Sequence, residues 1–222
     1  MNSFSIFSRV RFLDFKHLLL VDLSSSGISF YLVKDVRDLS SIDFSNLTLL
    51  KSVSNADICK INFLSNEKVL KKILDLNLKS FDLEQYALVF LLTPNSSELE
   101  KKAIEQAVPF LKKTIFVDRH FFYNFYLMQK RNFSKAKLLI SLFDDCAELS
   151  FFNQEKLLTY EKIFLRNLAL DSKNFLKKAK EKFEFEQPDC FYFFTNNLID
   201  KPKATDLAKY LKLEAIEVKN LC

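Results

Sequence analysis

Glycine is almost absent. The 222 residues contain one, Gly27, where average usage would give roughly 15. Glycine permits positive φ and close approach of the backbone to a ligand, so its scarcity excludes the Gly-rich phosphate loops of the Rossmann and Walker kinds. The cysteines (Cys59, Cys146, Cys190, Cys222) are far apart and form no C-x-x-C or Cys/His spacing. That argues against both a zinc site and a disulfide framework. No apolar run reaches the ~18 residues of a membrane span, and no small-residue cleavage site follows an apolar stretch at the N-terminus. A concentrated basic face is missing too: the net charge is +5, and the lysine pairs sit beside acids on helical segments. This is the pattern of solvated helix faces, not of a nucleic-acid interface. Together these absences point to the cytoplasm and to no nucleic-acid partner.

What is present is apolar bulk. Phenylalanine occurs 25 times, so rings fill much of the core, and the length suits one or two domains. Short apolar runs at Leu18–Asp22, Ile28–Lys34 and Leu47–Val53 predict three strands. A helix from Ser65 through Asn77 follows, then a buried strand over Tyr86–Leu92. Ser96 or Ser97 caps a second helix, which Pro109 ends. Thr114–Asp118 predicts a strand and Arg119–Lys130 an aromatic helix. The order then restarts: strands over Lys137–Leu142, Cys146–Phe152 and Leu157–Leu165, a helix over Ser172–Phe183, a strand over Cys190–Phe194, a helix over Ala204–Leu211 and a closing strand over Leu213–Val218.

The opening stretch LLLVDLSSSGISFYLV (Leu18–Val33) is echoed by LLISLFDDCAELSFF (Leu138–Phe152), with Val21 falling on Ile140, Asp22 on Ser141 and Leu23 on Leu142. An internal repeat outranks any local motif in deciding a fold. The expectation is an α/β chain of two similar βββαβα halves facing each other across a cleft. The first half covers 17–130 and the second 137–222. The polar QKRNFSKAK stretch connects them, and 1–16 is a separate N-terminal segment.

Local sequence narrows this further. Asp22-Leu23-Ser24-Ser25 stands in the first hairpin, and Pro94-Asn95-Ser96-Ser97-Glu98-Leu99-Glu100-Lys101-Lys102-Ala103 follows a buried strand. The second hairpin carries Ser141-Leu142-Phe143-Asp144-Asp145-Cys146-Ala147, and Thr195-Asn196-Asn197-Leu198 follows a later strand. A weaker match lies over Asp57–Phe63. In this order the stretches resemble the D-L-G-T, P-x-G-x-x-E-x-E-[RK]-[RK]-A, D-I-G-G-G-T-T, T-G-G-G and G-x-I-x-D-F stretches of the actin, Hsp70 and sugar-kinase superfamily, with its ribonuclease H-like fold. The likeness is greatest to the bacterial cell-shape actins (MreB-like), with FtsA-like and PilM-like relatives next. It implies nucleotide-loop positions at Asp22, Ser24, Ser25, Ser141, Asp144, Asp145, Thr195 and Asn196. It implies a water-orienting role for Glu100 and a first-loop acid at Asp22. The chain is shorter than a full cell-shape actin, so the outer subdomains are expected to be reduced or absent.

Every glycine of those loops is missing here. Phe143 puts a ring where the second loop would admit phosphate, and Asp144 and Asp145 add negative charge beside it. Like charges at contact distance repel by about 1 kcal/mol in water and by more in a drier cleft. Ser141 lacks the carboxylate that a magnesium shell uses. The His120–Tyr126 stretch sets rings where the family has small residues. The expectation is a degenerate member that needs no cofactor and is not an enzyme. ATP with magnesium is the alternative, and any residual hydrolysis would fall to Glu100 and Asp22. Ordinary structural roles also account for both: Glu100 as a first-turn helix acid, Asp22 as a turn residue. Asp144 and Asp145 with Glu148 make a poor metal site, because neighbouring strand residues point to opposite faces.

In the N-terminal segment Ile6, Phe7, Val10 and Leu13 share a helical face with Phe4 beside them. Such a segment suits peripheral contact with the inner face of the cell membrane; docking on the protein's own core is the competing use. The functional expectation is a scaffold in cell-shape or cell-envelope organisation, acting through a protein partner or self-assembly. Two alternatives are a PilM-like scaffold that binds a peptide of a membrane complex, and a silent TsaB-like subunit of a tRNA-modification complex.

Overall fold

The computed structural model describes residues 17–24, 27–34, 47–54, 67–79, 81, 86–94, 96–108, 114–129, 136–143, 146–183, 188, 190–195 and 200–218. The N-terminal segment with Phe4, Ile6, Phe7, Val10 and Leu13, the Asp57–Phe63 stretch, and Ser25, Asp144, Asp145 and Asn196 lie outside the described residues. Packing divides the chain into two units between Arg119 and His120.

The first unit is a mixed five-stranded sheet. Its strands are β1 (His17–Ser24), β2 (Gly27–Val33), β3 (Thr48–Ser54), β4 (Tyr86–Leu92) and β5 (Thr114–Asp118). They lie in the order β3-β2-β1-β4-β5. β1 pairs antiparallel with β2 and parallel with β4, so it is flanked on both edges, and every residue from Leu18 to Ser24 is buried. That is why it reads as a near-continuous apolar run and not as an alternating one. Leu19, Val21 and Leu23 face helices α1 (Glu67–Leu78) and α2 (Glu98–Ala107), packing with Leu70, Leu74, Ile104 and Ala107. The helical spacing of Leu70, Ile73, Leu74 and Leu78 makes that one face of α1.

The second unit repeats this plan. Its strands are β6 (Ala136–Leu142), β7 (Cys146–Asn153), β8 (Lys156–Phe164), β9 (Cys190–Thr195) and β10 (Glu214–Glu217). Read from β8, the order β8-β7-β6-β9-β10 is that of the first sheet, strand for strand. Helix α3 (Arg119–Gln129) leads in, and α4 (Leu168–Phe183) and α5 (Asp200–Leu211) cross between strands. One sheet face packs Ile140, Leu149, Phe151 and Phe193 against Phe175, Ala204 and Leu207 of α4 and α5. The other carries Ser141, Glu148, Ser150, Phe152 and Phe194, which meet α3. The fold is thus α/β with two mixed five-stranded sheets.

Strand positions follow the sequence reading closely, and helix starts differ. α4 begins at Leu168, after a 3-10 turn over Leu165–Asn167, and Ser172 is buried inside the helix where the sequence suggested a start. Leu168 anchors that first turn in the core. α5 begins at Asp200 and takes Pro202 into its first turn, where the missing N–H has no partner to lose. Residues of α3 from His120 onward group with the second unit, because their side chains engage the second sheet. The sequence reading assigned them to the first half. Among the described residues, no helix is long and apolar enough to cross a membrane.

Candidate functional site

The repeat places two hairpins in equivalent positions, one in each unit. In the first, the Ser24/Gly27 pair closes the β1–β2 ladder. Gly27 has φ 144°, a region that favours glycine. Ser24 Oγ donates to the Gly27 carbonyl at 3.3 Å. Asp22 lies on the sheet face away from α1 and α2, and is 3% exposed. The Arg119 Nε donates to Asp22 Oδ1 at 2.6 Å, and Arg119 Nη2 donates to the Leu23 carbonyl. Arg119 itself is 0% exposed. Cross-strand from Asp22 is Ser29, whose Oγ lies 3.0 Å from Ser52 Oγ.

In the second hairpin the Phe143 N–H donates to the Cys146 carbonyl at 2.9 Å, and Phe143 is buried. Ser141 sits where the first hairpin has Asp22, and its cross-strand neighbour is Glu148 where the first has Ser29. The carboxylate is therefore on the first strand of one hairpin and on the second strand of the other. Glu148 Oε2 lies 3.2 Å from His120 Nε2, and Ser141 Oγ lies 3.3 Å from the same nitrogen. Ser150 Oγ is hydrogen-bonded to His120 Nδ1. An ionised carboxylate can only accept, so Nε2–H donates to an ionised Glu148, while the Ser150 hydroxyl can either donate to Nδ1 or accept from it. The set has the composition of a nucleophile, base and acid. Ser150 and His120 are each 0% exposed, so the cluster is packed inside the second unit among the described residues.

Around His120 the rings of α3 are spent on the second sheet. Tyr123 stacks on Phe194 at 4.0 Å between centroids, and Phe121 meets Phe152 edge-on at 5.4 Å. Asn124 Nδ2 donates to the Gln154 carbonyl at 2.9 Å, and Lys137 Nζ donates to Asn124 Oδ1 at 3.2 Å. Burial pushes the Lys137 ammonium pKa down, and Glu155 pulls it partly back.

Glu100 lies elsewhere in the first unit, as the third residue of α2. Its Oε2 accepts the Ser97 N–H at 2.7 Å while its own N–H donates to Ser97 Oγ at 3.2 Å. This is a reciprocal capping box. Thr195 is the last residue of β9 and pairs with Leu142 at the end of the second hairpin's first strand. Among the described residues, no group of three or more His, Cys, Asp or Glu side chains is placed to hold a metal.

The structure thus brings Asp22 and Ser24 into one hairpin, Ser141 and Phe143 into the other, and leaves Glu100 in a helix cap. Sequence reasoning missed Arg119, and it read His120 only as the start of an aromatic stretch. A single signal was available: two successive polar cationic or ionisable residues at the junction of a buried strand and an otherwise aromatic helix need buried acids. Nothing in the sequence says which acids.

No protein-family model matches the chain, and no curated protein sequence does. Solved structures do. A protein of unknown function with an actin-like ATPase fold from Bacteroides thetaiotaomicron aligns over 96% of this chain and 93% of its own, at 12% identity and TM-score 0.59. A chain of the PilM–PilN type IV pilus biogenesis complex aligns over 91% and 88%, at 8% identity and TM-score 0.58. The ethanolamine utilization protein EutJ from Carboxydothermus hydrogenoformans aligns over 90% and 84%, at 12% identity and TM-score 0.53. At these identities the likeness establishes the actin-like fold.

Proposed function

We propose that this actin-like chain is a scaffold that works without a bound nucleotide and acts by holding a protein partner. The observation that carries this is the internal use of both hairpins. The acid that would face a magnesium–phosphate group is ion-paired to a buried guanidinium. In the second hairpin the equivalent serine is bound to an imidazole that also holds Glu148. A phosphate entering either place would meet an acid already neutralised or a buried carboxylate, with Phe143 in the turn that should open to it. Glu100 satisfies its own helix end. These arrangements do not fit a nucleotide held in the family's manner.

The neighbour solved as the PilM–PilN type IV pilus biogenesis complex supports a protein partner over a small-molecule substrate. The setting we propose is the cell envelope, with the apolar-basic segment around Phe4–Leu13 at the inner membrane face. Isothermal calorimetry of the full chain with magnesium-ATP tests the reading. The expected result is no binding tighter than about 1 mM, or about −4 kcal/mol. Saturable binding tighter than that, or steady phosphate release abolished by Glu100→Gln, overturns it.

A further inference from the structure

The sequence presents the lysines of α4 as a solvated face; they are exposed in the structure, and three of them also rim a cavity. Lys173, Lys177 and Lys180 stand one turn apart on the same face of α4. With Lys212 they surround a cavity of about 380 Å³ floored by Leu176, Leu211 and Pro188. Among the described residues this lining holds four lysines and no carboxylate. Glu181 lies 3.9 Å from Lys177 at the exposed side. Lys212 is fixed in place: its φ is 57°, and the Leu213 N–H donates to the Ala208 carbonyl at 3.1 Å, a helix stop that locks the residue in a left-handed turn.

Tyr210 forms one wall. Its ring lies 5.7 Å from Lys173 Nζ and is 47% exposed, a large exposure for an aromatic side chain. The same residue lines a second cavity of about 550 Å³, where Leu165, Leu168, Leu170 and Leu207 supply apolar surface. Leu170 is 54% exposed. The two cavities share Tyr210 along the seam between α4 and α5: the first is basic, and the second sets its leucines beside Arg166, Lys203 and one acid, Asp206.

We infer that this seam is a docking groove for a peptide segment carrying both acidic and apolar side chains. Charge complementarity fixes the acidic half, because a groove ringed by lysines repels a cationic ligand and favours carboxylates. The leucines fix the apolar half. Concavity favours a peptide over a lipid surface, since a strand or helical turn can fill both cavities at once whereas a flat bilayer touches the rim. The inference deepens the scaffold reading and rests on it for the kind of partner.

The test is selection from a phage-displayed library of random twelve-residue peptides on the full chain at low salt, followed by titration of the most enriched synthetic peptide. The expected peptides combine Asp or Glu with Leu, Phe or Tyr. Their affinity should fall at least tenfold in Lys173→Glu/Lys177→Glu/Lys180→Glu, fall in the milder Lys→Gln version, and weaken with added salt. These lysines are exposed, so thermal unfolding should stay unchanged in both variants. Enrichment without acids, or equal enrichment on the charge-reversed chain, overturns the inference. So does flotation with phosphatidylserine vesicles through the same lysines when no acidic peptide is enriched. Magnesium-ATP calorimetry on the same preparation separates the two readings. ATP binding beside intact peptide binding removes the nucleotide-free claim alone, and absence of both removes the groove alone.

Discussion

A guanidinium with no exposure to water is tolerable only when a charge and hydrogen-bond acceptors meet it. Arg119 meets both in Asp22 and the Leu23 carbonyl. Removing the cation strips the buried acid of that partner. Arg119→Met should therefore lower the unfolding free energy by about 3–5 kcal/mol, and Asp22→Leu/Arg119→Met should recover most of the loss. Urea denaturation measures both, and a loss below about 1 kcal/mol in the single variant would contradict the ion pair's role. Lys137 gives a pH signature. Burial holds its folded pKa below the ordinary value of 10.5, so between the lowered value and 10.5 the unfolded chain binds the extra proton. Stability attributable to this residue then rises with pH across that window. The alkaline rise should be present in the native chain and missing from Lys137→Met when unfolding is followed from neutral pH to beyond 10. These partnerships were illegible in sequence for a physical reason: Arg119 and Asp22 are 97 positions apart, and no local pattern ties a residue to a partner at that distance.

At the scale of elements, α2 shows how one residue can satisfy two descriptions. Glu100 stands where the resemblance implies a water-orienting acid, and in the fold it closes a capping box with Ser97. The two roles respond differently to substitution. Ser97→Ala should cost about 1 kcal/mol of stability. Glu100→Gln keeps an acceptor for the Ser97 N–H and should stay within about 0.5 kcal/mol of the native chain. Thermal melts of the two variants check this, and a large loss in Glu100→Gln would show that the charge itself matters there. The strands were the most legible elements, since a buried run such as Tyr86–Leu92 and an alternating one such as Thr114–Asp118 both have clear sequence signatures. The starts of α4 and α5 were hidden by their own residues. Ser172 has the chemistry of a cap but lies inside the helix, and Pro202 has the chemistry of a breaker but lies in a first turn.

At the scale of the whole molecule, the echo of Leu18–Val33 in Leu138–Phe152 carried the fold. Two sheets with the same strand order are what a duplicated βββαβα unit produces, and each has its own core cluster. The echo also carried the register. Asp22 pairs with Ser29 and Ser141 with Glu148, as the alignment of the two stretches requires. What the echo could not carry was the side-chain economy of each hairpin, because helix α3 enters it from outside the repeat. Local sequence thus placed Asp22 and Ser141 on equivalent strands, and only tertiary packing revealed the partners of their polar groups.

The crossed placement of the two carboxylates also bears on how this chain can change over time. An aspartate at position 141 alone would stand directly opposite Glu148, two buried acids sharing one imidazole. Like charges so placed destabilise a sheet. Losing Glu148 first would leave His120 without its acid. Each of these single substitutions therefore passes through a less stable protein. The acid of this hairpin is thus locked to its strand: it can cross to the facing strand only by a paired substitution, and one-residue exchanges are closed to it.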